Sequence, residues 1–298
     1  MNAIASILVG IDFTPGCRAA LGEALRIARP AGATISAVHV IDTLVAMELA
    51  EAMSPFAGSV RDGLVTDAMA AWTTFRDAIP GAAQVPIEVR IDHRVEGLVG
   101  AATRAKADLL VLGARGEPEV GLGTVATACV RHAPCDVLLV RDSQAEPFKS
   151  VVACIDFSPT SLVALERAAT IAAHDGAALH VLHAFQPPWR QLHYRAPTPE
   201  ADPHFQQQYR AGLDRRLVAF AGTLGERVSS LKPTFEVADC GGHRSGIVDA
   251  AARVGADLIV LGTRGRSTLR DILLGSTAEK VLRESRCSVL AVRPVARG

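Results

Sequence analysis

The sequence predicts an α/β protein of two repeated, doubly wound domains, each a five-stranded parallel sheet with helices on both faces. Three observations predict it. Apolar runs of strand length alternate with segments of helical period along the 298 residues, the pattern of a parallel sheet built from βαβ units. The runs are apolar throughout, as a sheet covered on both faces requires. The chain also reads twice. Ser6-Ile-Leu-Val-Gly-Ile-Asp12-Phe-Thr-Pro15 aligns with Ser150-Val-Val-Ala-Cys-Ile-Asp156-Phe-Ser-Pro159, Ala107-Asp-Leu-Leu-Val-Leu-Gly113 with Ala256-Asp-Leu-Ile-Val-Leu-Gly262, and Cys135-Asp-Val-Leu-Leu-Val-Arg141 with Cys287-Ser-Val-Leu-Ala-Val-Arg293. A period of about 150 residues is too long for a solenoid unit and suits a duplicated domain.

In chain order, the first strand falls near 5–11 and the first helix near 15–30, opening at Pro15. A strand near 34–41 follows. The segment from Asp42 to Ser59 is Ala/Met-rich and apolar (Leu44-Val-Ala-Met47-Glu-Leu49); it reads as a contact surface or as a run-in to the helix near 59–78. A strand near 85–91, a helix near 95–106, a strand near 108–113, a helix near 123–132 and a strand near 136–141 complete the half. The polar stretch Asp142-Ser-Gln-Ala-Glu-Pro147 suits a linker, so the domains run 1–144 and 145–298. The second half repeats the pattern, with strands near 150–155, 178–184, 234–239, 257–262 and 288–293. Its helices fall near 159–174, 203–228, 243–254 and 275–285. Gln186 to Pro203 holds five prolines and breaks both periods. Such a long loop reads as a lid or interaction surface, or as an irregular loop anchored by Trp189 and Tyr194.

Lys+Arg and Asp+Glu are both 31, so the net charge is zero. A nucleic-acid binder usually shows a basic face, and none is evident. No apolar run reaches membrane-spanning length. The N-terminus lacks a charged n-region and enters a strand almost at once, so it does not read as a signal peptide. The six cysteines include no Cys-x2-Cys pair and read as reduced cytoplasmic thiols packed as small hydrophobes. Cys240-Gly-Gly-His243 has ligand spacing, but two residues do not make a metal site.

Chemistry concentrates at Gly262-Thr-Arg-Gly265-Arg-Ser-Thr-Leu-Arg-Asp-Ile-Leu-Leu-Gly275-Ser276-Thr277. A strand ending in glycines and feeding a helix N-terminus is where α/β proteins hold phosphate. Gly262 and Gly265 allow backbone amides to approach an anion. Ser276 and Thr277 add hydroxyls, the helix dipole adds partial positive charge, and Arg264, Arg266 and Arg270 share the loop. A structural reading stands beside this one: Ser276-Thr-Ala-Glu279 also reads as a capping box. No Gly-x4-Gly-Lys-[Ser/Thr] is present, so the loop is not that of a P-loop NTPase.

The spacing Gly-x2-Gly-x9-Gly-[Ser/Thr] over 262–276 resembles the nucleotide-binding signature of the universal stress protein family, and nearly the whole chain resembles a tandem member. The resemblance implies strand order 3-2-1-4-5 and ATP with Mg2+ or Mn2+ on its phosphates. It implies an adenosine contact at Asp156, and an adenine pocket lined by the end of the second strand near His183 and Ala184. It also implies an intramolecular pseudo-dimer, or a homodimer, formed through strands 136–141 and 288–293. Asp156 has a structural alternative as a helix cap, although Ser158 before Pro159 suits the cap better.

The halves differ. The first-half loop, Gly113-Ala-Arg-Gly116-Glu-Pro-Glu-Val-Gly121-Leu-Gly123-Thr124, has six residues between Gly116 and Gly123 where the second half has nine. It also carries Glu117 and Glu119. Like charges at about 4 Å repel by about 4 kcal/mol at an effective dielectric near 20, so this half reads as degenerate for ATP. The expected function is a cytoplasmic, ATP-binding stress-response regulator that is not an enzyme, with an unidentified protein partner. Two alternatives are a scaffold for another small ligand or lipid, and an enzyme of the adenine-nucleotide α-hydrolase-like class. The latter families show Ser-Gly-Gly-x-Asp-Ser or His-x-Gly-His after a first strand, where this chain has Asp-Phe-Thr-Pro and Asp-Phe-Ser-Pro.

Overall fold

The computed structural model describes residues 4–53, 57–114, 123–144, 146–187, 203–239, 243–264 and 274–294. The chain divides into two compact units, Met1–Ala145 and Glu146–Gly298.

Unit 1 runs β1 (Ser6–Ile11), α1 (Pro15–Ala31), β2 (Thr34–Asp42), α2 (Thr43–Ala52), α3 (Ala57–Asp77), β3 (Ile87–Asp92), α4 (Arg94–Arg104), β4 (Leu109–Ala114), α5 (Thr124–His132) and β5 (Asp136–Arg141). Its strands pair in parallel in the order β3-β2-β1-β4-β5. Unit 2 runs β6 (Ser150–Cys154), α6 (Pro159–Asp175), β7 (Ala178–Phe185), α7 (Pro203–Gly222), α8 (Glu226–Ser229), β8 (Thr234–Asp239), α9 (His243–Arg253), β9 (Leu258–Gly262), α10 (Ser276–Glu284) and β10 (Ser288–Val292). Its order is β8-β7-β6-β9-β10, again parallel. Each unit thus has the 3-2-1-4-5 order, with the reversal between its first and fourth strands.

The central strands are buried on both faces. Ile7, Val9, Leu110 and Val111 in unit 1, and Val151, Ala153, Leu258 and Val260 in unit 2, are all fully buried. Alanine and leucine on the first helices (Ala20, Leu21 and Ala24; Ala164, Leu165 and Ala168) are buried against the sheet; small side chains let helix and sheet approach closely. The repeated Ala-Asp-Leu before the fourth strand also has a cause. Asp108 accepts hydrogen bonds from the Ala5 and Ser6 amides at 2.8 and 3.0 Å. Asp257 does the same for Lys149 and Ser150 at 2.7 and 3.1 Å. Each aspartate ties the start of the first strand to the start of the fourth and satisfies amides that no ladder reaches.

Both first helices start with Pro and end on a left-handed glycine, Gly32 (φ 61°) and Gly176 (φ 68°), the asymmetry that fixes helix ends. Two expectations change. The helix near 203–228 is two helices, broken over 223–225, where Gly225 takes φ 57°. The apolar segment after β2 is a helix of its own, α2, because Asp42 caps it by accepting the Leu44 amide at 3.0 Å. Ala46 turns inward, while Leu44 and Met47 stay exposed.

Candidate functional site

In unit 2 the register Ala153↔Val260 between β6 and β9, carried two residues on, sets Ile155 beside Gly262, so Asp156 lies just past the strand end. On the other side, Ile155 donates its amide to the Leu182 carbonyl at 2.8 Å. The His183 Nδ1 donates to the Ile155 carbonyl at 2.7 Å, which places Ala184 next to Asp156. These residues meet at the carboxyl ends of β6 and β9, the switch point where doubly wound folds bind ligands.

Thr263, buried, closes the loop. Its amide and hydroxyl donate to the Val292 carbonyl at 2.8 and 3.2 Å, and its carbonyl accepts the Gly275 amide at 3.0 Å. The chain leaves β9 after Gly262 and returns at α10 within one hydrogen bond, bringing Gly262, Arg264, Gly275, Ser276 and Thr277 together. Gly265, Arg266 and Arg270 lie outside the described residues, as do Glu117, Glu119, Trp189, Tyr194 and Cys240.

The glycines serve different ends. A Cβ on Gly262 would stand 2.9 Å from the Thr160 Cγ2, and one on Gly113 only 2.4 Å from the Gly16 carbonyl carbon. Both glycines therefore let the fourth strand run against the first turn of the first helix. Gly275 is different: its φ of −61° and ψ of 139° suit any residue, and among the described residues a Cβ there would meet only the Thr263 carbonyl at 3.5 Å. Neither the backbone nor the packing of the described residues requires glycine at 275. Its counterpart Gly123 has φ 84° and ψ 155°, which strongly favours glycine.

The capping-box reading of 276–279 is corrected. Gly275 is the N-cap of α10, and α10 has no side-chain cap, because the bond from Gly275 to Thr263 starts the helix one residue early. Ser276 and Thr277 thus occupy the first two helical positions, where backbone amides have no acceptor within the helix. By contrast, Ser158 is the cap of α6: its Oγ accepts the Ser161 amide at 3.1 Å. Among the described residues, Asp156 accepts one hydrogen bond, from the Ser158 amide at 2.9 Å.

A cluster that sequence reasoning missed forms at Phe157, the residue after Asp156. Phe157 adopts φ 63°, as Phe13 does at 61° in unit 1, a left-handed backbone that a bulky residue rarely takes. Packing holds it there. The Phe157 ring lies 4.4 Å from His183 and 5.6 Å from Phe220, with the Arg216 guanidinium 4.1 Å over it. Phe13, His39 and Phe75 repeat the arrangement at 4.7 and 5.8 Å. The repeated Asp-Phe pair was the available signal. A separate cavity of about 210 Å3 lies against α9, lined in part by Val152, His180, Thr234, Glu236 and Ala250.

Among the described residues, Cys17, Cys129, Cys135 and Cys154 are buried and Cys287 is partly so, and none of the five is in a disulfide. Burial pushes the Cys17 and Cys129 thiols up to about 12, as expected of packed, unreactive thiols. No group of three or more metal-ligating side chains occurs among the described residues, and no helix among them is long and apolar enough to cross a membrane.

The sequence model of the universal stress protein family matches residues 4–141 and again 147–293. A universal stress protein of Mycolicibacterium smegmatis is 27% identical over 308 residues, covering 97% of each chain. The Thermus aquaticus protein described as "Universal stress protein in QAH/OAS sulfhydrylase 3'region" is 33% identical over 150 residues, 49% of this chain and 99% of its own. A universal stress protein crystal structure from Archaeoglobus fulgidus superposes with a TM-score of 0.64 at 19% identity, covering 97% of this chain and 98% of its own. With both halves matched by one family and both folded in its order, the chain belongs to the universal stress protein family.

Proposed function

We propose that the protein is a nucleotide-binding regulator of the stress response that holds ATP in unit 2. The observation that carries this reading is Gly275, a glycine that neither its backbone nor, among the described residues, its packing requires, at a helix N-terminus with no side-chain cap that is bonded to Thr263 just past the end of β9. The missing side chain would leave room for phosphates, and the first-turn amides and dipole of α10 would favour their charge. The phosphates would lie on Gly262, Gly265, Gly275, Ser276 and Thr277, with Arg264 and Arg266 balancing their charge. Asp156 and Ala184 would contact the adenosine. A Mg2+ or Mn2+ ion would be held chiefly by phosphate oxygens, as such ions commonly are. ATP binding would bias a surface for a cytoplasmic protein partner; the protein is not proposed as an enzyme, and any hydrolysis would be slow.

Calorimetry with ATP tests the proposal. One nucleotide per chain, with Asp156→Ala weakening it, is the expected result. No binding contradicts the reading, and two equal sites contradict its assignment to unit 2.

A further inference from the structure

We infer that in unit 1 Thr14 and Cys17 form a latch that withholds the Asp12 carboxylate from ligands, and that unit 2 keeps Asp156 available because Ser158 and Ser161 bond to each other instead. The inference rests on the reading of unit 2 as the nucleotide-binding half.

The molecule carries its own control, since the two turns share a backbone. Phe13 and Phe157 have φ 61° and 63°. Thr14 and Ser158, the N-caps, have φ/ψ of −83°/165° and −84°/159°. Only the side chains differ. In unit 1 the Asp12 Oδ1 accepts from the Thr14 amide at 3.0 Å, the Thr14 hydroxyl at 2.5 Å and the Cys17 thiol at 2.8 Å. Thr14 then makes no side-chain cap to α1. In unit 2 the Ser158 hydroxyl stays with the helix, accepting the Ser161 amide, while the Ser161 hydroxyl donates to the Ser158 carbonyl at 2.9 Å. Asp156 is left with the Ser158 amide.

Asp12 itself is exposed, so what withholds it is the set of three donors on one oxygen, which fix the carboxylate plane. The Cys17 thiol is buried and stays protonated, pushed up by burial first and by the neighbouring Asp12 second. It therefore remains a donor across ordinary pH. A hydroxyl or amino group of an adenosine reaching the Asp12 Oδ1 must displace bonds already made, while one reaching the Asp156 Oδ1 competes with a single amide.

Moving the latch tests the inference. In the full chain, Ser158→Thr with Ser161→Cys copies the unit 1 pair onto a turn of matching backbone. ATP and inorganic tripolyphosphate are titrated into wild type and variant. ATP affinity should fall by about tenfold or more, the loss of one hydrogen bond to a charged acceptor, while tripolyphosphate affinity stays unchanged. Unchanged ATP affinity in the folded variant overturns the latch. Wild type that binds neither probe overturns the nucleotide reading on which it rests. Should the variant fail to fold, the reciprocal Thr14→Ser with Cys17→Ser is read with adenosine. A second, weaker adenosine site is expected, and a stoichiometry unchanged from wild type overturns the inference.

Discussion

Gly275→Asp should strengthen the fold and abolish ATP binding, two effects of opposite sign from one side chain. The φ/ψ of −61°/139° at Gly275 is that of an ordinary N-cap, and a Cβ there has van der Waals room at 3.5 Å from the Thr263 carbonyl. Aspartate is a preferred N-cap, interacts favourably with the helix dipole and narrows the unfolded chain. Together these effects stabilise by about 0.5–1 kcal/mol, on the order of 1–4 °C in melting temperature for a unit of this size. The same carboxylate at about 4 Å from a phosphate charge repels it by about 4 kcal/mol at an effective dielectric near 20, or about a thousandfold in affinity. Thermal melts and ATP calorimetry on one preparation measure both. Gly123→Asp is the contrast, because φ 84° and ψ 155° make aspartate strained there by about 1–3 kcal/mol, and its melt should fall. ATP retained by Gly275→Asp would show that the loop is not the phosphate site. A lowered melting temperature would refute the cap geometry.

Three further outcomes follow from the same geometry. Gly113→Ala should destabilise unit 1 by about 1–3 kcal/mol, because its Cβ meets the Gly16 backbone at 2.4 Å. Gly262→Ala meets a Thr160 methyl at 2.9 Å and should cost less, so equal losses in urea titrations would refute the packing argument. Asp257→Ala should free the Lys149 and Ser150 amides at a cost of about 1–3 kcal/mol, seen as faster hydrogen exchange at the start of β6; unchanged exchange would remove the tether. Burial holds the His180 imidazole below its ordinary 6.5, with Glu236 opposing. The unfolded chain therefore takes up that proton first, and stability should fall as pH drops through about 6.5. His180→Gln should flatten that slope, and parallel curves for the two proteins would refute it.

The fold was legible because the signals that specify it are local and occur twice. Continuous apolar strands, Pro15 and Pro159 at the helix starts, and the Ala-Asp-Leu repeats all read directly. Ser158 as the cap of α6 was equally plain. What the sequence hid depends on contacts between distant residues. The start of α10 is set by the Gly275 amide reaching Thr263, which spacing cannot show, so the Ser276–Glu279 spacing suggests a capping box where none forms. Phe13 and Phe157 carry a left-handed backbone that their type argues against; rings from β2, β7, α3 and α7 hold them there. Thr14 and Ser158 have the same donors, and their opposite choices are coupled to Cys17 and Ser161, three residues on. Unequal glycine roles at 262 and 275 likewise emerge only once Thr160 and Thr263 are in place.

The proposed site holds an adenine nucleotide in unit 2, at the loop from Gly262 to Thr277. Mass spectrometry of ligand released from the purified full chain tests it most directly. An adenine nucleotide at one per chain, absent from Gly275→Asp, is expected. A lipid or other metabolite released without nucleotide, or the same nucleotide released from Gly275→Asp, would contradict it.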